Sequence, residues 1–161
     1  MSCVVALAAF LMFAQAGPAA INAGQPAAAV MQAPAPVSVS HEPLFVDIVG
    51  RARALKEEVE AYRHDVAGGA GAPQLAHFDK FSADIAALAA LDEEGHKQLV
   101  ARGVTDDLKC ILHGISQDLP AKLAAVQAAT SAHDEDVALR DMDYLLNDNV
   151  EVITAPPQPA A

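Results

Sequence analysis

The chain of 161 residues is long enough for one domain with a real core. Hydrophobic residues make up 53%, but alanine carries much of that share and aromatics only 4%, a balance that favours helix over strand. The formal net charge is -11, with every charged side chain between Glu42 and Glu151, which argues against nucleic acid and anionic lipid as partners.

Residues 4–13 form an apolar run of signal-peptide length, too short to span a bilayer. Ala14-Gln15-Ala16 then supplies a small-x-small cleavage signal, so residues 1–16 are expected to be removed and the mature chain to begin at Gly17. The run lacks a preceding Lys or Arg, and cleavage after Ala23 is the second option. Residues 17–40, rich in Ala, Pro and Gln and free of charge until Glu42, read as a disordered leader, and residues 154–161 as a similar tail. The expected location is the periplasm or another exported compartment, with no membrane insertion after cleavage.

Between them, residues 41–153 carry four helical patterns. The first begins near Pro43, and Phe45, Ile48, Ala52, Leu55, Val59, Tyr62 and Val66 follow one another at steps of three and four, a coiled-coil-like seam. Arg51, Arg53, Glu57, Glu60 and His64 lie on its far side. The stretch GGAGAP, residues 68–73, permits the reversal. The second helix is expected from about Gln74, with Phe78, Phe81, Ile85 and Leu88 inward. Gly95 weakens its continuation, so a break near Asp92 is one reading and an unbroken helix to Arg102 the other. Gly103-Val104 reads as a left-handed C-terminal cap.

Thr105 is the expected N-cap of the third helix, whose stripe is Leu108, Ile111, Leu112, Ile115, Leu119, Leu123 and Val126. Pro120 inside it should kink or split the helix. Ser131 and Asp134 resemble a capping box at the start of the fourth, with Leu139, Met142, Leu145, Leu146 and Val150 inward. Residues 147–153 are expected to leave that helix as a short extended segment. Short connections make neighbouring helices antiparallel, so the expected fold is an all-α, up-down-up-down four-helix bundle.

The stretch DLKCILHGISQDLP places Cys110 and His113 three residues apart. With the stripe inward, Cys110 lies nearly opposite the core and His113 more than a quarter turn from it, on a face continued by Gly114, Gln117, Ala121, Ala124 and Ala128. This is either a solvated face or a contact face. Small side chains allow close helix approach, and loss of Cys3 with the signal would leave Cys110 as one unpaired thiol, suited to a homodimer crossed there. The expected interface residues are therefore Cys110, His113, Gly114, Gln117 and Ala121. As metal ligands, Cys110 and His113 supply only half of a tetrahedral site.

Other chemistry is thin. The CILH stretch lacks the second thiol of a haem-attachment motif, and His96 faces the core only if the second helix is continuous. One E-x-x-H, Glu93 to His96, falls short of the two such motifs and two further inward glutamates that a carboxylate-bridged di-iron bundle needs. There is no Gly-rich phosphate loop and no nucleophile elbow. His64, His77 and His133 fall at one end of the expected bundle beside Asp65, Asp79 and Asp134, a candidate surface site for Zn²⁺, Cu²⁺ or Ni²⁺. The reading is an exported, acidic, non-catalytic helical bundle with no cofactor, acting through protein–protein contacts in the cell envelope, as a homodimer or with another protein. The alternative is a periplasmic bundle that binds a metal or small ligand.

Overall fold

The computed structural model describes residues 38–69, 75–104 and 107–155. They form four helices: α1 (Pro43–Ala67), α2 (Phe78–Ala101), α3 (Leu108–Ala128) and α4 (Ala132–Thr154). Each is packed on its sequence neighbour and α1 also closes on α4, giving the up-down-up-down four-helix bundle. Ties at the two ends fix the antiparallel sense. At one end Arg102, after α2, forks onto Glu42, before α1, at 2.8 and 2.7 Å. At the other, the Tyr62 hydroxyl donates to Ala76 O at 2.7 Å and Arg63 Nε donates to Asp136 at 2.9 Å.

The seam of α1 is buried at all seven of its positions, and the far-side residues Arg51, Arg53, Glu57, Glu60 and His64 are exposed. That agreement follows from a step pattern that keeps one stripe inward for about six turns. Val39 is also buried, and Glu42 N–H donates to its carbonyl at 2.9 Å, so the folded unit already includes residues assigned by sequence to the leader. Residues 1–37, with the expected signal segment and most of the expected leader, lie outside the described residues, as do 156–161 of the expected tail.

α2 begins at Phe78 rather than near Gln74, entered through His77 in a left-handed conformation (φ 57°). It does not break at Asp92. Gly95 is buried where Leu112, Phe45 and Ile48 crowd in: a Cβ there would lie 3.2 Å from Leu112 Cδ1 and 3.3 Å from Phe45 Cε1. The glycine therefore marks close approach of helices rather than a helix end. At the C-terminus Gly103 adopts φ 68°, its N–H donating to Val100 O and that of Val104 to Leu99 O, a Schellman cap.

Thr105 lies outside the described residues, and α3 follows Asp107, whose side chain makes no capping bond. The helix is unsplit across Pro120, whose ring sits at an exposed position. Ser131 caps α4, its Oγ accepting from Asp134 N at 3.1 Å while donating to Asp134 Oδ2 at 2.6 Å. One methylene shorter than Glu, Asp134 meets the serine hydroxyl in place of the backbone N–H of a full capping box. Residues 147–153 correct the sequence reading: they are helical, with Asn149 and Ile153 buried, because their steps continue the inward stripe of Leu139, Met142 and Leu146.

Candidate functional site

α3 packs on α2 and α4, and its third side faces outward. His113, Gly114, Gln117, Ala121, Ala124 and Ala128 are all exposed there, and a Cβ built on Gly114 meets nothing within 4 Å. Cys110 differs from the outward position expected of it. It is half-buried and disulfide-bonded, and Cys3 lies outside the described residues. The exposed strip is thus drawn by its small residues and His113, with no part assigned to a free thiol.

Beside that face α2 and α3 bring the two short motifs together. Glu93 and His96 project from α2 toward α3, whose first turns carry Lys109 and His113. The His96 Nδ1 lies 2.6 Å from Lys109 O, and His113 Nδ1 lies 2.8 Å from Glu93 Oε2. A carbonyl and a carboxylate only accept, so each Nδ1 carries the proton and donates. In each neutral ring the lone pair is therefore left on Nε2. The rings lie against one another, with centroids 4.8 Å apart and planes inclined by 34°. The hydrogen bond from His113 foremost, helped by Lys97, holds the Glu93 carboxyl below its ordinary range. Ser116 Oγ contacts the same Oε2 at 3.4 Å while donating to His113 O at 2.7 Å.

The second feature is central. Asp92 on α2 and Asn149 on α4 are both fully buried, and Asn149 Nδ2 donates to Asp92 Oδ2 at 2.8 Å across the diagonal of the bundle. Asp92 Oδ1 and Asn149 Oδ1 have no hydrogen-bond partner among the described residues. Burial pushes the Asp92 carboxyl up to about 7, against the opposing pull of the Asn149 hydrogen bond. A proton on Asp92 Oδ1 turns one of two bare acceptors into a donor, the complement of the amide oxygen. The neutral acid is thus the form that suits this interior.

No protein-family model matches the chain. Comparison with curated proteins and with solved structures likewise finds no similar protein.

The remaining sequence candidates are placed but not assembled. His64, His77 and His133 are each exposed. Among the described residues no group of three or more His, Cys, Asp or Glu side chains is placed to hold a metal ion. A shallow cleft of about 280 Å³ lies between α1 and α2, lined by Arg51, Ala54, Leu55, Glu58, Lys80 and Asp84. Its Arg51 and Lys80 are already engaged, by Asp47 at 3.0 Å and Asp84 at 2.5 Å. No described helix is long and apolar enough to cross a membrane.

Sequence reading missed both polar assemblies. The Asp92–Asn149 pair had one available signal, since Phe81, Ile85, Leu88, Asp92 and Leu99 continue a single inward stripe. The meeting of Glu93 with His113 depends on how α2 and α3 are rotated against each other, which no spacing within either helix gives.

Proposed function

We propose that this is a non-catalytic helical bundle that works by protein–protein contact, pairing with a second copy of itself through the outer face of α3, in an exported compartment. One observation carries the reading: the exposed strip of Gly114, Gln117 and Ala121, continued by Ala124 and Ala128, where a backbone can approach closely. The strip is also nearly free of charge on a chain of net charge -11. Two acidic molecules repel least where such surfaces meet, which favours self-association here over elsewhere on the bundle. His113 borders the strip and supplies a polar rim.

Sedimentation equilibrium tests it. The wild-type protein is expected to dimerise at micromolar concentration, and Ala121→Glu or Gly114→Leu to weaken the dimer at least tenfold. A wild-type chain that stays monomeric at several hundred micromolar, or variants that dimerise unchanged, would remove self-pairing. Export is tested separately by the N-terminus of protein recovered from outside the cytoplasm. Gly17 is the residue expected there, a cleavage that removes Cys3 and so any disulfide of Cys110 within one chain, and an unprocessed chain confined to the cytoplasm refutes it. The alternative reading, a metal-binding bundle, is favoured by the paired imidazoles of His96 and His113.

A further inference from the structure

We propose that His96 and His113 form a two-imidazole site for a divalent late transition-metal ion, Cu²⁺ most tightly, on the outer seam between α2 and α3. The proposal does not rest on self-pairing, although His113 also borders the α3 strip, and it concerns neither His64, His77 nor His133.

Three observations converge on it. Each ring donates its Nδ1–H to a fixed oxygen, Lys109 O at 2.6 Å and Glu93 Oε2 at 2.8 Å. This is the support that metal-binding histidines receive: it fixes the tautomer, holds the ring and leaves Nε2 basic. One partner is a carboxylate, which adds negative charge behind the ring and favours a cation in front of it. Second, the rings come from different helices, each anchored by packing on the bundle, so their separation is set by the fold. Two imidazoles in neighbouring positions on one ion, joined by bonds of about 2.0–2.1 Å at angles between roughly 90° and 110°, have ring centres roughly 4.5–5.3 Å apart. The observed centroid separation is 4.8 Å. Third, the site is half open. His96 is half-buried and His113 exposed, so water has access to complete the coordination.

Two nitrogen ligands with solvent suit Cu²⁺, which stands highest in the affinity order of the divalent series and accepts tetragonal nitrogen and oxygen coordination. Cys110, three residues before His113, is disulfide-bonded and is not counted among the ligands.

The test is a Cu²⁺ titration of the tag-free full-length chain, followed by calorimetry and by electron paramagnetic resonance. The expected result is one ion per chain at micromolar affinity with hyperfine coupling to two nitrogens. His96→Ala and His113→Ala should each weaken binding more than tenfold. Glu93→Gln, which keeps both rings, should weaken it about tenfold through loss of the charged support. A variant with His64, His77 and His133 all replaced by Ala should bind as wild type. Because a ring deletion can loosen the α2–α3 seam, paramagnetic broadening of the imidazole Hε1 resonances in the wild-type protein provides a second readout. Broadening confined to His96 and His113 supports the site. Broadening of other histidines instead, binding no tighter than millimolar, or binding that survives loss of both rings overturns it.

Discussion

Asp92 occupies a position that every other member of its stripe fills with an apolar side chain or glycine, and it has one hydrogen bond where an ionised carboxylate wants several. Burial therefore favours the protonated acid, and the folded carboxyl titrates at about 7 against an ordinary value of 3.8. The folded protein binds this proton more tightly than the unfolded chain does. Its contribution to stability is complete below the unfolded value and is lost as pH rises toward about 7. The slope is at most about 1.4 kcal/mol per pH unit, and the whole loss is on the order of a few kcal/mol. Asp92→Asn removes the titration while keeping the size of the side chain. Urea unfolding at pH 5, 6, 7 and 8 is expected to show wild-type stability falling across the series relative to this variant; parallel behaviour of the two would mean the carboxyl is already solvated. The stripe spacing made Asp92 legible as an inward position. What made it tolerable is Asn149, 57 residues later, and no local pattern points to such a partner.

Helix boundaries in this protein follow rules of different reach. Ser131 and Gly103 act through bonds within four or five residues, and both were readable from neighbouring letters. Ser131→Ala is expected to cost about 1 kcal/mol in a chemical denaturation curve, while leaving Cu²⁺ affinity unchanged. Gly95 is a different kind of signal. Read locally it weakens a helix; in the bundle it is the point where α1 and α3 side chains press on α2, at distances that leave little room for a larger residue. Gly95→Leu is expected to destabilise the fold by about 1–3 kcal/mol through overpacking, measured by thermal and urea unfolding. If the variant were as stable as wild type, the close approach would not be what selects glycine there. The unwinding expected over residues 147–153 failed for a related reason. Asn-Asp-Asn is poor helix sequence in isolation, but Asn149 and Ile153 are held by buried contacts that outweigh propensity.

For the whole molecule, a net charge of -11 sets the background against which any association occurs. Surface pairs such as the exposed Arg51–Asp47 and the half-buried Lys122–Asp141, at 3.0 and 3.1 Å, relieve the repulsion locally and contribute little each. Raising ionic strength from about 10 to 150 mM shortens the screening length from roughly 30 to 8 Å. A dimer that joins two acidic chains through the uncharged strip of α3 is therefore expected to tighten with salt in sedimentation experiments, whereas pairing driven by opposite charges would loosen.

The amino-acid sequence by itself determined the four helices and their antiparallel order, because apolar spacing, end caps and short connections are local properties of the chain. It also determined which face of α3 stays outside, Cys110 excepted, since a stripe fixes its own opposite. Only the tertiary structure decided that Asp92 meets Asn149 and that Glu93, His96 and His113 meet beside Lys109. Those contacts join different helices, and their existence depends on the rotation and offset of one packed helix against another, which hydrophobic periodicity leaves open at the level of single side chains.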